Sequence, residues 1–351
     1  MTRRNARRAA VLLPVVGLLA TACGGGGGSG SSGEAASGGG GNCYEGETAT
    51  FVVPFSPGGG YDVIARGLAP FLEEELGADA VVVQNEPGAG GLTAANNLYA
   101  ADGDGLTFGL FAAQGIVGSS LAGAAGASYD PEKFTYVARI AEDSRVLLAS
   151  PQSGIKTLDD LLGFGSFQYA TAGVGAADHV DANVLPTILG IEGDTEIVTG
   201  FEGSSETELA VTSGEVEIGS GTLGTRLGGI ENGDQIPLLL MGRERAEELP
   251  DVPALLELDL DDPDLAEAYI GLQEVGRSVF APPNTDENCL TQLQEALQTT
   301  LENPEFNEAV ADSVDVPFEY TAGDELKEAV ERVLGAPEEL VDLLQQAYAD
   351  Q

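Results

Sequence analysis

Tryptophan is absent from the 351 residues, histidine occurs once, methionine twice and cysteine three times. With only His179, zinc sites built from several imidazoles are excluded, and three thiols are too few to replace them. Positive charge is scarce too: 15 Lys and Arg stand against 57 Asp and Glu, a formal net charge of −42. No basic stripe exists to meet phosphates, so nucleic acid is excluded as a partner. Such an acidic surface repels itself in dilute solution. At about 1 M salt the screening length falls to about 3 Å, so a saline habitat is the expectation. Catalytic signatures are missing as well. Neither a G-x-S-x-G elbow nor a G-x-x-x-x-G-K-[ST] phosphate loop occurs. "DGDG" (102–105) opens like a calcium loop but lacks the ligands that should follow, and reads as a turn. "GSGTLG" (219–224) matches G-x-G-x-x-G, yet "IPLLLMG" after it has no acid to hold a ribose.

What is present begins with an N-terminal address. Residues 1–22 carry four arginines, a short apolar run and small residues before Cys23. That is the pattern of a secretory signal, too short for a helix that stays in the bilayer. "ATAC" resembles a bacterial lipobox, with Ala20 where that motif prefers leucine, so Cys23 is expected to become a lipidated N-terminus. The glycine- and serine-rich segment behind it completes a 23–42 anchor and leash, with a coil reach of roughly 24 Å. Loss of the signal leaves 11 basic residues against 57 acidic ones, a formal charge of −46. Of the remaining cysteines, Cys43 and Cys289 form an even pair, which outside the cytoplasm suggests a disulfide.

Hydrophobic periodicity predicts alternating strands and helices. "TATFVVPF" (48–55) reads as a buried strand, and "DVIARGLAPFLEEELG" as an amphipathic helix closed by Gly77, with a kink expected at Pro70. The same rhythm of strand, glycine turn and helix restarts at "SRVLLASP" (144–151) and points to parallel sheets with helices on their faces. "VGRSVFAPP" (275–283) returns as a strand, and helices near 285–302 and 323–350 finish the chain. A Cys43–Cys289 bridge places the first strand and the last helices in one domain, with the middle of the chain inserted as a second. The predicted lobes are 43–147 plus 277–351, and 148–276.

Two glycine-rich loops stand between a strand and a helix: "FSPGGGYD" (55–62) and "TAGVGAADH" (171–179). The first-turn amides of a helix lack helical acceptors, and the dipole adds positive potential there. Such a terminus holds a carboxylate without lysine or arginine. One loop in each lobe makes a clamp for an anion. No acid and base are paired at a workable spacing, which disfavours an enzyme, for example a lyase using Asp62 and His179. No cofactor or metal is expected.

From residue 48 onward the chain resembles the solute receptors of tripartite tricarboxylate transporters. The resemblance rests on "VVPFSPGGGYDVIAR" (52–66), "LGADAVVVQNEPGAGG" (76–91), "ADGDGLTFG" (101–109) and "TAGVGAADHV" (171–180). It continues through "SGEVEIGSGTLGTRLGGIENG" (213–233), "ELPDVPAL" (248–255) and "VGRSVFAPPNT" (275–285). It implies an α/β, two-lobed fold of the type II periplasmic-binding-protein kind, hinged on crossing strands and closing on a small carboxylate. It also implies an extracytoplasmic receptor, held at the membrane by Cys23, that delivers its solute to a two-component permease. A sensor or scavenger without a permease is the alternative. Carried onto this chain, Phe55, Ser56, Gly58, Gly59 and Gly60 form the first loop, with Asp62 capping the helix and touching the ligand or its waters. Gly173, Val174, Gly175, Ala176 and Ala177 form the second loop, and Gln114 and Thr222 are further contacts. His179 follows that loop as a hydrogen-bond partner. Ala176 and Ala177 replace hydroxyl residues common in the family, and Gly221 replaces an acid, which implies a smoother and less polar pocket.

Overall fold

The computed structural model describes residues 41–172, 176–201, 203–311 and 317–349. The signal segment, Cys23 and the leash up to residue 40 lie outside the described residues. In chain order come β1 (Thr48–Val53), α1 (Gly60–Leu76), β2 (Ala80–Asn85), α2 (Leu92–Tyr99), β3 (Thr107–Ala112), α3 (Ala113–Leu121) and β4 (Thr135–Ala141). Next are β5 (Arg145–Ala149), α4 (Leu158–Leu162), β6 (Phe167–Ala170), α5 (Ala177–Ile188), β7 (Thr195–Val198), α6 (Ser204–Ser213), β8 (Ile218–Thr222), α7 (Leu223–Glu231) and β9 (Ile236–Leu240). Then follow α8 (Pro263–Glu274), β10 (Arg277–Ala281), α9 (Glu287–Glu302), α10 (Pro304–Ala311), β11 (Thr321–Ala322), α11 (Gly323–Leu334) and α12 (Glu338–Ala349).

The molecule is α/β with two lobes, each built on one sheet. The first sheet has the order β11-β4-β10-β3-β1-β2 and the second β7-β6-β8-β5-β9. In the first, β1 runs parallel to β2 and β3, whereas β10 is antiparallel to both β3 and β4. In the second, β6 is parallel to β7 and β8, and β5 is antiparallel to β8 and β9. The sheets are therefore mixed rather than wholly parallel as the sequence predicts. A strand that enters a lobe from the other one arrives at the carboxyl edge of the parallel strands, so it must run against them.

Burial follows composition. The β-branched and aromatic residues Phe51, Val52 and Val53 of β1 are covered on both faces, as a strand interior to a parallel arrangement requires. Ile64, Leu68, Leu72 and Leu76 give α1 an apolar stripe that packs on β1, β2, α9 and α10. The helix is continuous through Pro70 and ends at Gly77, whose φ of 64° permits a left-handed cap. Cys43 and Cys289 are bonded, with Cα atoms 5.4 Å apart, and this ties the entry to β1 onto α9. The final helix predicted over 323–350 is two helices, since Pro337 lacks the N–H needed to continue α11 into α12. The break lets α12 turn away from the first sheet and pack on α3, α8 and α5. A shared layer of α8, α11 and α12 thereby joins the two lobes in one apolar core that includes Phe280, Tyr269, Leu344 and Leu185.

Candidate solute-binding site

Register puts the carboxyl ends of β1 and β3, the first residue of β10 and the last of β4 on one edge, since Arg277 pairs with both Ala112 and Ala141. Pairing of Arg145 with Thr222 places the start of β5 beside the end of β8 in the same way. Only residues 142–144 separate β4 from β5. The two carboxyl edges therefore meet at the crossing, where ligands of open α/β sheets bind.

On the first edge, Phe55 is half-buried and residues 56–60 are exposed. Gly58 has φ 87°, which only glycine adopts without strain. The other two glycines are under no such demand. Gly59 is extended (φ −77°, ψ 166°) and Gly60 opens α1. A Cβ at Gly60 would meet nothing within 4 Å, and one at Gly59 would meet only the Ser56 carbonyl at 3.5 Å. The space above these residues is open, and the amides of Gly60, Tyr61 and Asp62 have no acceptor within the helix.

Asp62 sits inside the first turn and does not take the N-cap place, which belongs to Gly59. Its Oδ2 accepts the Gly58 N–H at 2.8 Å and Arg66 Nε at 3.0 Å, and Oδ1 accepts Asn85 Nδ2 at 2.9 Å. Asn85 also donates to the Phe55 carbonyl at 3.0 Å, and Arg66 Nη2 donates to Asn85 Oδ1 at 2.9 Å. Asp62 is thus a brace beneath the loop, with both oxygens engaged by the chain. The bond from Arg66, with the Gly58 and Asn85 bonds, lowers its pKa to about 2 against the cost of burial.

On the second edge, Gly173, Val174 and Gly175 lie outside the described residues. Ala176 is the extended N-cap of α5, and Ala177 begins the helix. Asp178, in the first turn, accepts the Ala172 N–H at 3.0 Å, a counterpart of the Asp62 brace. It is 6% exposed, its Oδ1 has no hydrogen-bond partner among the described residues, and burial raises its pKa. His179 is buried, with Nδ1 3.1 Å from Thr171 Oγ1. Thr222 is the extended residue before α7, at the end of β8. The space beside Gly221 is filled by the buried guanidinium of Arg226, which pairs with Glu208.

Arg277, Asp143, Tyr61 and Arg145, none of them predicted, stand at the crossing beside the predicted Gln114. Arg277 Nε donates to Asp143 Oδ1 at 2.9 Å, and its guanidinium lies 5.2 Å from the centre of the Tyr61 ring. Tyr61 in turn packs on Phe55, ring centres 4.9 Å apart. Gln114, the second residue of α3, reaches Asp143 Oδ2 only at 3.4 Å, and its Oε1 is buried without a partner among the described residues. Burial and then Asp143 push the Tyr61 hydroxyl far up, while Arg277 and Arg145 pull it down, so charges of both sheets act on this ring. Across the crossing Arg145 donates Nε to Asp181 Oδ2 at 2.6 Å and Nη2 to Ser220 Oγ at 3.1 Å. Asp181 also accepts Ser220 Oγ at 2.6 Å, Tyr269 OH at 2.6 Å and Gln273 Nε2 at 3.2 Å, fastening α5 to α8.

Two sheet edges meeting at a crossing, each with a braced helix start, define a two-lobed solute-binding protein. The chain belongs to the tripartite tricarboxylate transporter family receptors (TctC), whose family model matches residues 64–333. It is 28% identical to Protein BugT of Bordetella pertussis over 276 residues, 76% of this chain and 80% of that protein. Among solved structures it is similar to MatC of Rhodopseudomonas palustris with bound malate, at 25% identity and a TM-score of 0.66, covering 85% of this chain and 99% of that one. A TctC solute binding protein from Polaromonas has the same fold, with a TM-score of 0.70 at 19% identity over 86% of this chain and 98% of that one. The chain is thus a solute-binding receptor, and membership of this family implies an extracytoplasmic location.

Proposed function

We propose that this receptor captures a small carboxylate between the 55–60 and 173–177 loops and delivers it to a two-component membrane permease. Lipidated Cys23 anchors it, and the leash lets the body reach that permease. The boundary expected at 147/148 falls inside β5, a strand of the second sheet, so the division between the lobes is set at 142–144 and 275–276, and a ligand favours their closed arrangement about those crossings. The observation that carries the reading is the open face of Gly59 and Gly60, where neither backbone geometry nor packing excludes a side chain. Close approach of another molecule to the main chain accounts for their smallness, and free first-turn amides suit an oxyanion. The malate held by MatC supports a carboxylate. Backbone donors act at contact, so they hold an anion although the surface charge is strongly negative and screened by salt.

A thermal-shift screen of mono-, di- and tricarboxylates, with sugars and amino acids as controls, tests this. A ligand at about 100 times its Kd stabilises the native state by about 2.7 kcal/mol. Gly59→Val, which the local backbone accommodates, is expected to abolish the response. A full response in that variant would remove the loop from the site.

A further inference from the structure

The strand crossings are only part of the joint between the lobes. α8 precedes the crossing at 275–276 and belongs by connectivity to the second lobe, yet it packs on α11 and α3, helices of the first. α12 comes from the first lobe and packs on α5 of the second. One apolar core runs through Val330, Leu344, Tyr269 and Leu185 without a break at the joint. Helices packed in this way slide by small amounts between discrete seatings.

The polar part of the joint is the Asp181 cluster, and it is incompletely paired. From α8, Tyr269 OH and Gln273 Nε2 both donate to Asp181 Oδ1, at 2.6 and 3.2 Å. Arg145 Nε and Ser220 Oγ, of the second sheet, hold Oδ2. Two atoms of the same cluster are buried without a hydrogen-bond partner among the described residues: Tyr169 OH, on β6, and Gln273 Oε1, on α8. Burial, then the Asp181 charge, raises the pKa of Tyr169, whose hydroxyl lies beside Ser220. Burial, then Asp181 and Tyr169, raises that of Tyr269, so the two phenols are neighbours. One orphan donates and the other accepts, and they stand on opposite sides of the joint. Buried groups left unpaired are costly in one arrangement and call for another in which they pair.

We propose that the joint has a second seating, in which α8 shifts against the second sheet and Tyr169 OH donates to Gln273 Oε1. In the seating seen in the structure Asp181 holds Tyr269 and Gln273, and in the other the two orphans complete each other. An exchange of buried hydrogen bonds, in addition to bending at the crossings, then sets the angle between the lobes, and a bound solute selects one seating. This goes beyond the carboxylate reading and does not depend on which solute binds.

The test is the distance between two spin labels, measured by pulsed electron resonance on the full chain without solute. The labels are carried on non-thiol side chains introduced at the exposed positions Glu75 of α1 and Glu231 of α7, which leaves the disulfide intact. The wild type is expected to give one narrow distance. Tyr269→Phe removes a charge-assisted bond of the first seating only and should shift the balance at least about 10-fold, so that a second narrow distance appears. Adding either Tyr169→Phe or Gln273→Met to that variant should remove the second distance. Tyr169→Phe alone should keep the distance and the thermal midpoint of the wild type, since its hydroxyl has no bond to lose. A merely structural cluster would give Tyr269→Phe a lower midpoint with one unchanged distance, which would overturn the inference. Persistence of the second distance in both double variants would overturn it as well. So would a lowered midpoint in Tyr169→Phe alone, the mark of a buried water already pairing that hydroxyl.

Discussion

Two aspartates, one per lobe, do similar work with opposite consequences for stability. Asp62 and Asp178 each stand in the first turn of a helix and accept an N–H from the loop before it. Asp62 is surrounded by donors, and its native pKa falls to about 2. An unfolded aspartate titrates near 3.9, so the stability it lends is complete above about pH 4 and is lost as pH falls through about 2. Asp62→Asn should lower stability at pH 7 by about 1–3 kcal/mol, with the gap from wild type narrowing across that window. Asp178 has the reverse sign. Burial raises its pKa, so its ionisation opposes folding above the unfolded value near 3.9. Asp178→Asn keeps an acceptor for Ala172 and should be at least as stable as wild type at pH 7, losing that advantage toward pH 4. Thermal unfolding midpoints of the variants against pH check both signs. At this scale Asp62 was legible from "GGGYD" as a residue of the helix start, but read as a cap, because its partner Asn85 lies 23 positions on. Arg277 was not, since its partner Asp143 is 134 positions away.

Between residue and molecule, the elements that sequence reading missed include α3 and α8, which join the lobes. α8 carries a start signal, Asp262 as N-cap and Pro263 at the first helical position, but it is embedded in an acidic, proline-dotted stretch that reads as irregular. α3 has three glycine or serine residues among nine and a weak apolar pattern, so local propensity does not announce it. β4 is sequence-legible in composition, as "TYVARIA" shows, yet its neighbours in the sheet come from remote segments. These elements acquire stability from packing rather than from their own sequence. The Asp181 cluster shows how closely α5 and its loop are held to α8. Asp181→Ala strands the buried Arg145 charge and should cost about 3–5 kcal/mol. Asp181→Leu with Arg145→Met, which removes both charges, should recover most of it. Urea midpoints at unchanged slope measure the two effects.

For the whole molecule, two covalent and electrostatic terms dominate the predictions. The Cys43–Cys289 bond spans 246 positions, for which chain entropy gives a nominal stabilisation of about 5 kcal/mol. Reduction should lower the denaturant midpoint by up to that amount, measured with and without dithiothreitol. An excess of 57 acidic over 15 basic residues should make the midpoint rise with sodium chloride toward 1 M. A midpoint independent of salt would refute the expectation of a saline habitat.

What the amino-acid sequence determined by itself was local: most of the runs that form strands, the glycines that interrupt them, and the stop of α1 at Gly77. Periodicity, turn chemistry and composition act over a few residues, so they are readable without a fold. The tertiary structure alone decided that the two sheets are mixed, that α8 and α12 join the lobes, and that Arg277, Asp143, Gln114 and Tyr61 meet at one crossing. Those outcomes depend on strand register and on side chains 29 to 134 positions apart where they bond, a range over which no local preference carries the information.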